Sequence, residues 1–292
     1  MLATIISIIT DILTIIFMVV NFFGGTVQLS TENPIKLVDA ENCNMAFVAL
    51  ADTHMRDTAF QPHLLRNGLK DIDNAETPFD ALVIAGDISE MGDVPSYEVT
   101  WDVLEASEIG QKAVMLANGN HDIRLSYEYQ TKMINGKTAE YLDIEIDKPY
   151  YSYEVNGYTF IVMNSDEWQL EKAVISDEQL AFIDSKLEEA DGKPAFVICH
   201  QPLADTHGLP EVWKNGDLGE DSAAVKEVLM KHSNVFYLNG HLHDGVYENS
   251  LEIFDAEKGV YSINLPAYGK DNDYGQFRQT GLGTYVELYE DK

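Results

Sequence analysis

Ala113-Val114-Met115-Leu116-Ala117-Asn118-Gly119-Asn120-His121-Asp122 passes within ten residues from an unbroken apolar run to a tight polar cluster. Consecutive apolar side chains suit a strand buried on both faces, because neighbouring side chains on a strand point to opposite sides of the sheet. The Gly, Asn, His and Asp are four uncommon choices together, and they fall where such a strand would stop. The arrangement recurs along the chain. Met45 to Ala51 leads into Asp52-Thr53-His54, and Ala81 to Ala85 into Gly86-Asp87. Ala195 to Cys199 leads into His200, and Val235 to Leu238 into Gly240-His241-Leu242-His243.

Between the runs lie helical patterns at Phe60 to Asn74, Tyr97 to Ser107, Glu178 to Ala190 and Ser222 to His232. Ser176 with Gln179 three positions on is a capping-box pair opening the third of them. Tyr150 to Val155 and Tyr158 to Met163 flank Asn156-Gly157, a strong short signal for a two-residue hairpin, and Thr284 to Tyr289 reads as a final strand. Strand and helix alternate first, and hairpins and strands follow, so the fold class is mixed α/β. In open α/β sheets ligands collect at the carboxyl ends of the strands. Five polar motifs are thus expected on one sheet edge, carrying five of the eight histidines; only His63, His207 and His232 lie outside them.

Taken singly the motifs have bland explanations. An Asp after a strand caps a helix or a turn, and a lone His200 beside Cys199 fits a hydrogen-bonded core residue. His241 and His243 are more telling, since two imidazoles two residues apart project the same way from an extended segment. Together and in order, the motifs supply nitrogen and oxygen donors of the kinds that hold two transition-metal ions side by side. The 292 residues contain 19 basic and 49 acidic side chains, a formal net charge of -30. Such a balance argues against a surface that grips nucleic acid or anionic lipid. The two cysteines, Cys43 and Cys199, read as reduced thiols and do not fix a redox compartment.

Residues 1–24 differ from the rest. Leu2 to Phe23 contains no Lys or Arg and one acid, Asp11, and as a helix it is long enough to cross a bilayer core of about 30 Å. Thr4, Ser7, Thr10, Asp11, Thr14 and Asn21 recur at three- and four-residue spacing, mostly on one stripe. The stripe fits a spanning helix packed on a second copy, a helix lying in the interface, or a cleaved signal segment. We read a retained membrane anchor through residues 2–23, because no basic region opens the segment and no small-x-small cleavage site closes it. Asp11 at the bilayer centre would cost about 2.5–3.5 kcal/mol. Charge bias barely decides the side, and the extracytoplasmic one is favoured. Residues 25–44 then form a linker, with Asn33-Pro34 as a turn signal, and residues 45–292 one catalytic domain.

The five motifs resemble the signature of the calcineurin-like metallophosphoesterases, D-x-H, GD, GNH(D/E), H and GHxH in that order, from about Met45 to Tyr289. The resemblance implies a four-layer αββα sandwich of two mixed sheets flanked by helices. It also implies a phosphoesterase acting on phosphate mono- or diesters, with a metal-bridging hydroxide as nucleophile. Asp52, His54 and His243 would hold one divalent ion, Asn120, His200 and His241 the other, and Asp87 would bridge them. His121 would be the acid for the leaving oxygen, and Asp122 would orient its ring or cap a helix. Asn120, Arg56 and His207 are weaker expectations for substrate contacts, and the stretch Gln201 to Gly219 for a wall of the pocket. Purple acid phosphatases carry a Tyr ligand three residues after the bridging Asp. Glu90 stands there instead, so Mn, Fe(II) or Zn suits the site better than a tyrosinate-iron pair. The motifs over a compact domain also resemble small bacterial cyclic-nucleotide phosphodiesterases and phosphomonoesterases. A catalytically silent member of the fold, tethered to a membrane as an interaction protein, is the alternative. It would be marked by a missing ligand, and none is missing. Substrate identity and oligomeric state are left open.

Overall fold

The computed structural model of the chain describes residues 34–58, 60–245, 250–270, 272 and 280–289. The expected helix over residues 1–24 and the start of the linker lie outside the described residues. Among the described residues no helix is long and apolar enough to cross a membrane.

Among the described residues ten strands form two sheets. β1 (Cys43–Leu50), β2 (Ala81–Ala85), β3 (Ala113–Ala117) and β10 (Thr284–Tyr289) make a four-stranded sheet in the order β10-β1-β2-β3. β4 (Tyr151–Val155), β5 (Tyr158–Val162), β6 (Ala195–Ile198), β7 (Val235–Asn239), β8 (Leu251–Asp255) and β9 (Val260–Asn264) make a six-stranded sheet in the order β4-β5-β6-β7-β9-β8. Both are mixed. β1, β2 and β3 run parallel with β10 antiparallel at the edge, and β5, β6, β7 and β9 run parallel between two antiparallel edge strands. Parallel central strands must be covered on both faces, and β2 is buried at every position.

Five α-helices among the described residues provide the cover. Leu65 and Leu69 of α1 (Phe60–Asp73), Leu104 of α2 (Val94–Glu105) and Ile134 of α3 (Tyr127–Leu142) pack on Val48, Leu82 and Leu116 of the first sheet. Ile183 and Leu187 of α4 (Asp177–Glu189) join Val225 and Leu229 of α5 (Ser222–Lys231) against Ile161, Val197 and Tyr237 of the second. The inner faces of the two sheets meet in a third apolar layer, where Phe47 packs edge-on against Phe160 and Phe196 at centroid distances of 5.0 and 4.7 Å.

Local sequence explains the ends of these elements. Asp93 caps α2 by accepting from Ser96 N, and Ser176 caps α4 by accepting from Gln179 N. Gln179 does not close the expected box; its side chain donates to Asn164 O and Asp166 Oδ2 instead. Asn156 and Gly157 turn the β4–β5 hairpin with φ of 51° and 82°, as a two-residue turn of that type requires. β1, β2, β3, β6 and β7 all end on one edge, and the predicted donors follow each of them within four residues.

Phe47→Ala should cost about 3–5 kcal/mol, since it opens a cavity between the sheets and removes two edge-on ring contacts. Urea unfolding is the measurement, and a loss below about 1 kcal/mol would place the weight of the core elsewhere.

Candidate metal centre

The loops that leave these strands bend sharply at the predicted donors. Asp52, His54, Asp87, His241 and His243 have φ between 44° and 74°, and so supply five of the eleven left-handed non-glycine residues among the described residues. Each costs about 1–3 kcal/mol unless its surroundings enforce it, and such residues gather at functional sites. Two glycines make the close approach possible. A Cβ on Gly119 would stand 2.1 Å from Asp87 Oδ1, and one on Gly240 would stand 2.5 Å from Asp52 Oδ2.

Donor atoms of the described residues converge in three sets, one of them His54, Glu90 and His121, and the predicted ligands account for the other two. Asp52, His54 and His243 form one, with His54 Nε2 3.2 Å from His243 Nε2, and His243 Nε2 3.2 Å from Asp52 Oδ1. Asp87, His200 and His241 form the other, with His200 Nε2 3.1 Å from His241 Nδ1 and 3.2 Å from Asn120 Oδ1. Asp87 Oδ2 faces both, 3.6 Å from His54 Nε2 and 3.3 Å from His200 Nε2. All seven predicted ligands are therefore brought together.

The charge of this centre invites a cation. Asp52 and Asp87 are all but fully buried. Burial alone would raise both carboxyls, yet facing imidazoles, His243 for Asp52 and His200 for Asp87, hold them below the ordinary value. Burial lowers His200 too, but the two carboxylates reverse this and hold it above the usual imidazole value. Burial and neighbouring His200 push His241 down to about 3. Imidazole nitrogens that face one another across buried carboxylates suit divalent ions, which need neutral imidazole and ionised carboxylate ligands. The donor set fits such ions.

Hydrogen bonds aim the donors. His200 Nδ1 donates to Ala85 O at 2.9 Å, which turns Nε2 inward. Asn120 Nδ2 donates to Glu171 Oε2 at 3.0 Å, which turns the amide oxygen inward. His241 N donates to Asp52 Oδ2 at 3.0 Å and so ties the two sheets together at the site. Glu90 Oε2 stands 2.9 Å from His54 Nδ1. Sequence reasoning missed Glu171 and noted Glu90 only as the occupant of a tyrosine's place. Each acts on a residue remote in the chain, and its own neighbours carry no signal.

Other expectations are corrected. Asp122 does not orient the His121 ring; it is fully buried and accepts from Ile88 N, Ser89 N, Gly119 N and Tyr97 OH. The ring is held by Glu90 O, which accepts from His121 Nδ1 at 2.7 Å, and Nε2 is left 3.9 Å from Asp87 Oδ2. Burial lowers the His121 imidazole from its ordinary value. Arg56 pairs with Glu90 Oε1 at 3.0 Å, while its side chain is half exposed. His207 is wholly buried, with Nε2 2.8 Å from Ser262 Oγ, and is not among the residues lining the cleft. The cleft over the centre measures about 360 Å³ and is lined by Asp87, Asn120, His121, His241 and His243. Val212 and Trp213, from the stretch expected to form a wall, line it too, and the Trp213 ring lies 4.6 Å from that of His241.

The likeness to known proteins agrees with this geometry. A probable cyclic nucleotide phosphodiesterase of a Synechococcus species is 31% identical over 166 residues, which cover 56% of this chain and 58% of that protein. The chain therefore spans less than two thirds of the length of this relative. A probable cyclic nucleotide phosphodiesterase of Ruthia magnifica is 22% identical over 228 residues, 76% of this chain and 85% of its own. The crystal structure of a dimetal phosphatase from Danio rerio has the same fold, with a TM-score of 0.62 at 16% identity over 85% of this chain and 94% of that one. The calcineurin-like phosphoesterase family model matches residues 45–245, the span that carries all five motifs. The chain belongs to the calcineurin-like phosphoesterase family.

Proposed function

We propose that the chain is a dinuclear metal-dependent phosphoesterase for small phosphate mono- or diesters, with cyclic nucleotides a substrate class to test first. The position of Asp87 Oδ2 carries this reading, because one buried carboxylate oxygen faces both donor sets, at 3.6 and 3.3 Å. A chain that kept the fold only as a surface for partners would need no such convergence. Asp52, His54 and His243 would hold one divalent cation, Asn120, His200 and His241 the other, and Asp87 both. When bound, Mn, Fe or Zn in these positions would act as paired Lewis acids and lower the pKa of water toward about 7.

The chain's own residues do the rest. Asp52 and Asp87 carry only two negative charges, so with two divalent ions held there the centre would draw in a phosphate ester despite the formal net charge of -30. The His121 ring lines the cleft and donates through Nδ1 to the Glu90 carbonyl, so it acts as an acid only in the imidazolium form, whose second proton, on Nε2, can pass to the leaving oxygen. Val212, Trp213 and Leu242 give the cleft an apolar wall. The names of the Synechococcus and Ruthia relatives support a diester, and the dimetal phosphatase of Danio rerio supports two ions. The apolar segment 2–23 supports a membrane tether.

The parent chain should retain two equivalents of metal by elemental analysis and hydrolyse bis-para-nitrophenyl phosphate, para-nitrophenyl phosphate or a cyclic nucleotide only when loaded. Asp87→Asn should retain fewer equivalents and lose more than about 100-fold in turnover. His121→Ala should keep both equivalents yet slow turnover about 100-fold or more. Parent rates in both variants would overturn these roles. Removal of residues 1–27 should move the chain from the membrane fraction to the soluble one and spare turnover; loss of all turnover would count against a separate anchor.

A further inference from the structure

Glu90 meets two imidazoles of the site, one through its side chain and one through its main chain. Its Oε2 is 2.9 Å from His54 Nδ1 and 2.7 Å from Lys270 Nζ, and its Oε1 is 3.0 Å from Arg56 Nη2. Its main-chain oxygen accepts from His121 Nδ1 at 2.7 Å, and its main-chain nitrogen donates to Met55 O at 3.0 Å. One residue thus places an oxygen within 2.9 Å of the outer nitrogen of each of two imidazoles whose rings meet edge to face at 4.6 Å. We propose that Glu90 is the positioning residue of this site: its carboxylate fixes the ring and tautomer of His54, and its carbonyl fixes those of His121. The proposal rests on the two-cation reading and adds to it the device that aims one ligand and the proton carrier together.

The physical argument begins with the single proton of a neutral imidazole. A carboxylate beside Nδ1 keeps the proton there and leaves the Nε2 lone pair free, and it raises the basicity of the ring as a ligand. His54 Nε2 is the atom that faces His243 and Asp87. The same logic holds at His121, where the carbonyl can only accept, so the proton sits on Nδ1. Lys270 and Arg56 make this arrangement tolerable. Glu90 is 7% exposed, and an isolated buried carboxylate would be costly. Both cations reach it from the solvent side, with side chains 33% and 47% exposed. An ordinary exposed ion pair has no need of a buried partner that also touches an imidazole.

Side chain and main chain act on different rings, so substitution separates them. Glu90→Ala removes the contact to His54 and leaves the carbonyl that holds His121. In the full-length chain with ¹⁵N-labelled histidine and no metal, at about pH 8 where free imidazoles are neutral, long-range ¹H–¹⁵N spectra should show His54 protonated at Nδ1. Glu90→Ala should convert that signal to a tautomer mixture while His121 stays unchanged. In titrations with Mn²⁺ alone, Glu90→Ala should weaken one of two ions by about 10- to 100-fold, the usual effect of losing such an outer partner. The other ion should hold its affinity within about threefold. Glu90→Gln, which keeps an oxygen acceptor beside Nδ1, should restore part of both signals; it also carries the comparison should Glu90→Ala not fold. Parent affinity for both ions together with an unchanged His54 tautomer would overturn the proposal. A parent chain that binds fewer than two ions would overturn the two-cation reading instead, and the metal-free spectra would still decide the role of Glu90.

Discussion

The Asp122 carboxylate holds the site loops in one arrangement. Oδ2 accepts from Ile88 N and Gly119 N, at 3.0 and 2.8 Å, and Oδ1 accepts from Ser89 N and Tyr97 OH, both at 2.9 Å. One buried group thereby binds the loop after β2, the loop after β3 and helix α2. Asp87 returns the connection, since its Oδ1 accepts from His121 N at 2.8 Å. The oxygen between the two donor sets and the ring expected to carry a proton are therefore placed by the same cross-bracing. Burial and the nearby Asp87 raise the Asp122 carboxyl above its ordinary value, and its three backbone donors oppose them. A buried acceptor with this many partners is costly to leave unmade, so the loops have little room to part.

What the brace holds is strained, and the strain is local. Five predicted ligands in left-handed backbone, together with two buried carboxylates, would drift apart on a soft support. Three apolar layers provide the stiffness, and the ties between the sheets cross directly at the site. His200 Nδ1 reaches Ala85 O from the second sheet to the first, and His241 N reaches Asp52 Oδ2 the same way. Packed cores deform little, so the inner donor atoms keep their separations while the cleft above stays open to a ligand.

Which parts were legible in the sequence follows from the range of the interactions. Strands buried on both faces announce themselves as apolar runs, and β2 and β3 match the expected bounds; the half-buried edge strand β10 matches them too. Helix α3 was missed because its buried face is polar: Gln130, Thr131, Asn135 and Thr138 face inward with Ile134, so no apolar period appears. β8 is an exposed edge strand, and β9 buries Ser262 and Asn264, which breaks its apolar run. The seven donors were legible because each follows a strand at once. Their supports were not. Glu171 acts on Asn120 from 51 positions away, and Glu90 on His121 from 31. Adjacency misled at Asp122, since neighbouring side chains in a turn diverge, and the carboxylate goes to backbone donors behind the ring.

His207 marks the remaining distinction between lining a cleft and building one. The sequence placed it against substrate because its loop follows His200 and is rich in glycine. Its buried ring instead meets Ser262 Oγ at 2.8 Å, Ser262 donates to Asn239 Oδ1, and Asn239 ends the strand that delivers Gly240 and His241. The backbone nitrogen of His207 donates to Glu252 Oε1 on β8 at 3.0 Å. The loop that sends Trp213 over the His241 ring is thus anchored to the strand that carries His241. Wall and ligand share one buried polar network, so the shape of the cleft and the aim of that imidazole are set together.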